Sequence, residues 1–206
     1  MTNKWLQWAR SLQAIAQNGL LYASNPFDQE RYEKIRSLAA EILAEHGNLD
    51  STRIENLFRE EIGYATPKVD VRGVIIQDGK ILLVQEAWDQ CWSVPGGWAD
   101  INESPSAAVE REIWEESGYR AKATKVLAIY DRDHQGHVPP LPYHVYKIFF
   151  RCHITGGTPS AKHETTGVDF FPLDNLPPLS LPRVTLKQIQ RFFEHELNPS
   201  WASDFD

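Results

Sequence analysis

Pro95-Gly96-Gly97 forms a predicted turn, called the glycine loop, and residues 97–119 continue it with a helix that has clear ends and a cluster of carboxylates. Ser104 is a residue type that caps helix N-termini. Pro105 suits the first helical position, where a backbone N–H would have no hydrogen-bond acceptor within the helix. Because Gly118 is typical of the position after a helix, a helix is predicted over residues 105–117. Glutamates at positions 112, 115 and 116 share one face of that helix, where like charges repel. A hard cation with oxygen ligands is the usual remedy.

Two adjacent glutamates alone are no guide to function, since acidic helix faces are usually just solvated and short motifs match by chance. The wider pattern is far more specific. The spacing of the Nudix box is occupied by Gly97, Glu103, Arg111, Glu112, Ile113, Glu115, Glu116 and Gly118. The chain therefore resembles the Nudix hydrolases. It departs from the motif at one position, because Tyr119 stands where an aliphatic residue is normal.

The resemblance implies a Mg²⁺ or Mn²⁺ site on this helix, with its residues carried over position by position. The predicted ligands are Glu112 and Glu116, then Glu115 and the carbonyl of Gly97. Arg111 and Glu103 are expected to orient these ligands rather than to bind the metal. Many family members add a glutamate from a loop near the last strand. Glu164 is the candidate here, as a fourth ligand or the general base, although an exposed loop residue is an equal alternative.

Four further residues are candidates for contact with the substrate: Arg72, Trp98, Tyr143 and His144. Arg72 lies inside a predicted strand, where an unpaired buried charge would be costly. It either pairs with a core carboxylate or reaches a substrate phosphate, and both alternatives stay open. Trp98 and Tyr143 can stack on a nucleobase or belong to the core. His144 is a weaker candidate for a phosphate contact.

Composition agrees with an ordinary enzyme. The 206 residues are 42% hydrophobic and carry a formal net charge of −7. That charge argues against a stable nucleic-acid partner and against binding to anionic membranes. No apolar run approaches the length of a membrane span, and the first ten residues lack the apolar segment of a signal peptide. Cys91 and Cys152 have no metal-binding spacing, so a reduced, cytoplasmic protein is expected.

Two domains are predicted: an N-terminal helical domain over residues 1–66 and a Nudix domain over residues 67–206. Three helices are expected in the first, because apolar residues recur there at helical spacing. Trp5 and Trp8 give its first helix more apolar surface than a small layer can bury, so a homodimer is expected. A helical lead of this length is also similar to that of bacterial Nudix hydrolases acting on nucleoside diphosphates linked to another moiety.

In the second domain, strands and a helix alternate, which predicts an α/β fold. The resemblance makes it the Nudix fold, a mixed β-sheet sandwiched between α-helices. A loop over residues 131–142 is long enough for a flap that faces the substrate, and its His134 and His137 are interpreted as ordinary polar residues. A closing helix is predicted over residues 181–196, and residues 200–206 are expected to be frayed.

The resemblance implies a divalent-metal-dependent pyrophosphohydrolase of nucleoside diphosphates linked to a group X. CDP-choline is the favoured substrate, because aromatic faces or carboxylates can hold its quaternary cation. ADP-ribose is the second candidate. Two alternatives from other classes stay open: an enzyme acting on nucleoside triphosphates or RNA ends, and a catalytically silent nucleotide sensor. The complete set of box carboxylates weighs against the sensor.

Overall fold

A computed structural model describes residues 3–161 and 164–206, and their contacts divide the chain into two compact units. The helical unit comprises residues 1–67 and 141–144, and the sheet unit comprises residues 68–140 and 145–206. The helices are α1 (Lys4–Tyr22), α2 (Pro26–Gly47), α3 (Ser51–Glu60), α4 (Pro105–Ser117) and α5 (Leu186–Leu197). Within the described ranges, no helix is both long enough and apolar enough to cross a membrane.

The strands all lie in the sheet unit. They are β1 (Lys68–Val74), β2 (Ile76–Gln77), β3 (Lys80–Glu86), β4 (Trp92–Ser93), β5 (Gly96–Trp98), β6 (Tyr119–Asp131), β7 (Val145–Gly157), β8 (Thr165–Pro172) and β9 (Asp204–Phe205). The larger sheet has the order β5-β1-β7-β6-β9 and is mixed, since β1 runs parallel to β7 and antiparallel to β5. In the smaller sheet β3 pairs with β2, β4 and β8, always antiparallel.

Two helices of the sheet unit cover opposite apolar faces. Ile113 of α4 packs in one buried cluster with Val71 of β1 and Phe150 of β7. Phe192 of α5 packs in another cluster with Phe149 of β7. Side chains alternate between the two faces of a strand, so neighbouring residues 149 and 150 serve different clusters. This arrangement confirms the predicted α/β fold, a mixed sheet between helices.

The helical unit has a core of its own. It consists of Leu6, Ala9, Ala39, Ala40, Leu43, Ile54 and Phe58. The alanines allow α1 and α2 to approach closely, and the Asn25 side chain caps α2 by accepting from the Asp28 amide. Arg10 of α1 donates to the carbonyl of Leu141 over 2.6 Å, which ties residues 141–144 to this unit.

The ends of α4 confirm the prediction from sequence. The Ser104 hydroxyl accepts from the Ala107 amide at 3.2 Å, and Pro105 occupies the first helical position. Gly118 adopts a left-handed conformation with φ of 75° and donates its amide to the carbonyl of Trp114. The helix that carries the box glutamates therefore spans residues 105–117.

Two expectations for the C-terminal part of the chain are wrong. The closing helix begins at Leu186 rather than at residue 181, because Thr185 and Gln188 form a capping box there. Residues 200–206 are not frayed, since β9 pairs in parallel with β6. Asp204 holds this tail by accepting from Arg191 Nε at 2.6 Å and from His195 Nε2 at 3.0 Å.

The loop after β6 is also more fixed than a solvated polar loop. His137 is buried, and its Nδ1 lies 2.9 Å from the carbonyl of Leu181. Because that carbonyl can only accept, Nδ1 carries the proton, and Nε2 accepts from the Gln188 amide at 3.2 Å. Burial lowers the pKa of His137 to about 3, so the ring is neutral. The interpretation of His137 as an ordinary polar loop residue is therefore wrong.

Candidate active site

The glycine loop approaches α4 through backbone that only glycine tolerates. Gly96 has φ of 145°, and a Cβ there would lie 2.0 Å from the carbonyl oxygen of Val71 on β1. The Gly96 amide donates to Glu116 Oε2 over 2.8 Å. The pairing of β5 with β1 thus brings a backbone donor to one of the box glutamates.

Gly97 lies directly against a second box glutamate. A Cβ at Gly97 would stand 2.8 Å from Glu112 Oε2. The carboxyl of Glu112 therefore occupies the space that any larger residue would fill. The loop and the helix together assemble the Glu112 carboxyl, the Glu116 carboxyl and the Gly97 backbone at one place.

Arg111 organises the remaining acidic side chains of the motif. Its Nε and Nη2 each donate to Glu103 at about 3.0 Å, which anchors the guanidinium to the loop before α4. Its Nη1 donates to Glu112 Oε1 at 2.8 Å and to Glu115 Oε2 at 3.0 Å. One cation thus relieves the repulsion that the sequence predicts between Glu112 and Glu115.

Burial makes the site electrostatically unusual. It raises the pKa of Glu116 to about 8, because the carboxyl is removed from water and Arg72 offsets that cost only in part. Burial also raises the pKa of Glu112, against the hydrogen bond and charge of Arg111. A carboxylate that is costly to ionise without a cation gains most when a cation binds beside it.

The donor set fits a hard divalent metal. Two buried or half-buried carboxyls and a backbone carbonyl are the oxygen donors that Mg²⁺ and Mn²⁺ prefer. Among the side chains that the structure describes, no three of His, Cys, Asp or Glu already converge as a metal cage. Glu112 and Glu115 are turned to Arg111 instead, and Glu116 to Gly96. Glu112 and Glu115 each keep one carboxyl oxygen outside the bonds to Arg111.

Glu164 and Trp98 border this centre. The carbonyl of Glu164 accepts from the Ala87 amide, and the next residue, Thr165, donates its hydroxyl to the Glu116 carbonyl at 2.8 Å. The side chain of Glu164 is exposed where β8 begins, near the C-terminal end of α4. Trp98 is 46% exposed and follows Gly97 directly. The catalytic role of Glu164 and the stacking role of Trp98 remain predictions.

Arg72 is fully buried and pairs with a core carboxylate, one of its two predicted alternatives. Its Nε lies 2.7 Å from Asp70 Oδ1, and Lys147 Nζ lies 3.0 Å from Asp70 Oδ2. Reasoning from sequence missed Asp70 and Lys147, although Asp70 and Arg72 lie two apart on a strand and so share a face. It also missed Glu86, a buried carboxylate that accepts from the Ser93 hydroxyl at 2.7 Å.

Tyr143 and His144 lie outside the sheet unit, which carries the box glutamates. Both belong to the segment 141–144 that is grouped with the helical unit. Their predicted contacts with a base and a phosphate are therefore untested by the geometry around α4. They directly precede β7, which begins at Val145.

Comparison with known proteins relates both parts of the chain to one family. A model described as a UDP-X-like, N-terminal oligomerisation domain matches residues 3–58, and a NUDIX domain model matches residues 59–192. YjhB of Bacillus subtilis, whose name assigns it provisionally as an ADP-ribose pyrophosphatase, is 43% identical over 98% of this chain and 97% of its own length. An ADP-ribose pyrophosphatase of Methanocaldococcus jannaschii is 37% identical over 57% of this chain and 69% of that protein.

Solved structures also resemble this one, among them two with related enzyme names. A UDP-X diphosphatase superposes with a TM-score of 0.64 at 32% identity, and the match covers 100% of both chains. An ADP-ribose pyrophosphatase from Streptococcus suis superposes with a TM-score of 0.62 at 40% identity, covering 68% of this chain and 100% of that one. The helical lead and the sheet unit thus both have counterparts in the first of these structures.

Proposed function

The chain belongs to the Nudix hydrolase family, and on that premise we propose that it cleaves the diphosphate of a nucleoside diphosphate linked to a second group. Water adds across the P–O–P bridge, which yields a nucleoside monophosphate and the phosphorylated second group. The proposal is carried by one observation: the glycine loop holds Glu116 through an amide and accommodates Glu112 at Gly97. That arrangement has one buried and one partly buried carboxylate beside glycine backbone that can approach a phosphate closely.

Mg²⁺ or Mn²⁺ is the proposed cofactor. When bound, a divalent cation neutralises diphosphate oxygens and lowers the pKa of a coordinated water. Glu112, Glu116 and the Gly97 carbonyl would hold it, with Glu115 joining when Arg111 releases its oxygen. Arg111 itself keeps its anchor on Glu103 through two nitrogens, so it stays in the site when a carboxyl oxygen leaves its Nη1.

Glu164 is the proposed general base. Its exposed carboxyl can accept a proton from water, and the hydrogen bond from Thr165 to the Glu116 carbonyl fixes the start of β8 against α4. Trp98 is proposed to stack on the base of the substrate, because its half-exposed ring follows the loop that carries Gly97. Tyr143 and His144 are kept as secondary candidates for contacts with the base and with a phosphate.

The relatives and the sequence favour different identities for the second group. The names of the relatives support ADP-ribose, and the name of one solved relative supports a UDP-linked compound. The prediction from sequence instead favours CDP-choline, on the basis of aromatic and acidic residues that could hold a quaternary cation. ADP-ribose and CDP-choline are therefore the two substrates to compare first.

A homodimer formed through the helical unit is the proposed assembly. Trp8, Ile15 and Tyr22 recur every seven residues on one face of α1 and are 61%, 53% and 73% exposed. The core of the unit uses other positions of α1, such as Leu6 and Ala9. An apolar stripe of this kind is typical of a partner-binding surface, and the match to an oligomerisation domain supports a second copy as the partner.

A substrate panel tests the proposed activity. We expect kcat/KM with MnCl₂ or MgCl₂ to be higher for ADP-ribose or CDP-choline than for any nucleoside triphosphate. The products should be AMP with ribose 5-phosphate, or CMP with phosphocholine, identified by anion-exchange chromatography. Preference for a triphosphate or a 5′-triphosphate RNA would move the chain to the alternative class of Nudix enzyme. Binding of nucleotides without turnover of any would support the sensor.

A further inference from the structure

Three charged side chains, those of Asp70, Arg72 and Lys147, form a buried cluster inside the sheet unit, next to the glycine loop. Asp70 and Arg72 point from the same face of β1, and Lys147 stands opposite Asp70 in the register of β1 with β7. All three are buried. Removing such charges from water is costly, and apolar residues of similar volume would fill the space at a lower cost in free energy. Charges kept at such a cost are expected to hold a neighbouring part of the chain in place.

Asp70 links the two cations. Arg72 donates from Nε to Asp70 Oδ1 at 2.7 Å and from Nη2 to Oδ2 at 3.1 Å, and Lys147 Nζ donates to the same Oδ2 at 3.0 Å. Burial works to raise the pKa of Asp70, but the charges of Arg72 and Lys147 outweigh it and hold that pKa well below its usual range. The guanidinium of Arg72 is thereby fixed in one orientation.

From that orientation Arg72 reaches the glycine loop. Its remaining terminal nitrogen, Nη1, donates to the carbonyl of Val94 at 3.3 Å, just before the loop. Its backbone stands opposite Gly96 in the pairing of β1 with β5. The Gly73 amide adds a bond to the Pro95 carbonyl at 2.8 Å. The loop is thus bound to β1 on one side and, through the Gly96 amide, to Glu116 on the other.

We propose that Arg72 is a positioning residue that, held by Asp70 and Lys147, fixes the loop 94–97 so that the Gly97 carbonyl and the Glu116 carboxyl stay in place for a divalent cation. The inference deepens the proposed function and rests on it. Arg72 is completely buried and so cannot touch the substrate. Its role in the reaction is to hold the loop in place. Lys147, on a strand that carries no box residue, serves the same loop through Asp70.

The variant R72K separates positioning from simple packing. Lysine keeps a positive charge for Asp70, but one ammonium group cannot bond both carboxylate oxygens and the Val94 carbonyl in a planar fork. We expect R72K to bind Mn²⁺ at least tenfold more weakly than the wild type, measured by calorimetry with MnCl₂. Thermal unfolding without metal should show a folded protein.

R151K is the matched control. Arg151 lies on β7 and donates from Nη2 to Glu196 on α5 at 2.8 Å, so the same substitution breaks the geometry of an ion pair that does not involve the loop. Its Mn²⁺ dissociation constant should stay within about twofold of the wild-type value. A variant R72K that is destabilised but binds Mn²⁺ as the wild type does would overturn the inference, because the triad would then be structural only.

The variant K147M tests the same positioning role if R72K does not fold. K147M removes one of the two cations on Asp70 while leaving the Arg72–Asp70 pair, and we expect Mn²⁺ binding to weaken about threefold. Unchanged Mn²⁺ binding by K147M would refute the role assigned to Lys147. If the wild type binds no Mn²⁺ whereas nucleotides still bind, the proposed metal site fails and this inference fails with it. If the wild type binds Mn²⁺ but hydrolyses no substrate, only the proposed activity fails.

Discussion

The side chain of Glu116 is buried against the glycine loop, where ionisation is costly until a cation arrives. Its pKa is about 8 in the folded chain because of burial, against about 4.5 for an exposed glutamate. Between those values the folded state binds more protons than the unfolded state, so stability falls as pH rises through this window. The same carboxyl that weakens the metal-free protein is the one proposed to bind the metal.

The variant E116Q should therefore be more stable than the wild type when metal is absent. The amide oxygen can still accept from Gly96, while the cost of ionisation is gone. In EDTA the melting temperature of E116Q should exceed the wild-type value, and more at pH 8 than at pH 5, by about 2–4 °C for each kcal/mol gained. MnCl₂ should raise the wild-type melting temperature and leave E116Q unchanged.

E115Q provides the comparison at an exposed position of the same helix. In EDTA its melting temperature should stay close to the wild-type value at both pH 5 and pH 8, because the Glu115 side chain is 47% exposed and E115Q keeps the buried Glu116. A rise of the same size in E115Q and E116Q would contradict burial as the cause. General relief of repulsion on α4 would then be the better explanation.

At the scale of single elements, the loop after β6 is held by a neutral histidine. His137 has a pKa of about 3 in the folded chain because of burial, whereas the unfolded value is about 6.5. The unfolded state therefore binds more protons between these values. The contribution of His137 to stability is complete above about pH 6.5 and is lost as pH falls toward 3.

H137Q tests this anchor. The difference in the free energy of unfolding between wild type and H137Q should be largest above pH 7 and should shrink by up to about 1.4 kcal/mol for each pH unit below 6.5. Urea denaturation from pH 5 to pH 8 measures it. H153Q, at an exposed position of β7, should give curves parallel to the wild type. Parallel curves for H137Q as well would exclude a buried neutral ring.

The carboxylate of Asp204 anchors the C-terminal strand to α5. The hydrogen bonds from Arg191 hold the pKa of Asp204 well below its usual range, against burial, with further support from His195. D204N should lower the free energy of unfolding by about 1–3 kcal/mol, since charge-assisted bonds are replaced by weaker ones. Thermal unfolding measures the loss, and D174N at an exposed position should show none. Equal melting temperatures for D204N and wild type would mean that the charge of Asp204 contributes nothing to stability.

Features set by local sequence were predictable, whereas those set by distant pairing were not. Ser104, Pro105 and Gly118 mark the ends of α4 because caps act through neighbouring backbone groups. The pairing of β9 with β6 joins residues some 75 apart in sequence. No pattern within residues 200–206 predicts this pairing. The same holds for Asp70 and Lys147, whose contact depends on the register of two strands. The box motif named its glutamates, but only the folded chain places Glu116 on the Gly96 amide.

At the scale of the whole molecule, the apolar stripe of α1 leads to a prediction about assembly. I15E should convert the proposed dimer to a monomer, because a charge buried in an interface would be unpaired. The helical unit itself should stay folded, since Ile15 is half exposed and lies outside its core. Light scattering at micromolar concentration measures the mass. L197E changes an exposed leucine of α5 in the same way and should leave the mass unchanged.

Loss of the dimer in both variants would indicate a non-specific effect of charge. A wild-type protein that is monomeric at this concentration would refute the homodimer. If deletion of residues 1–66 left the oligomeric state unchanged, the role of the helical unit in particular would be refuted, and another surface would have to be sought.

The glycine loop and the glutamates of α4 are proposed to form a metal-dependent centre for cleavage of a nucleoside diphosphate derivative. Wild type and E116Q, incubated in parallel with ADP-ribose and with CDP-choline in MnCl₂, test it most directly, with products separated by anion-exchange chromatography. We predict a nucleoside monophosphate and a phosphorylated second group from the wild type, and turnover reduced by orders of magnitude in folded E116Q. Near wild-type turnover by E116Q, or no cleavage of either compound by the wild type, would contradict the account.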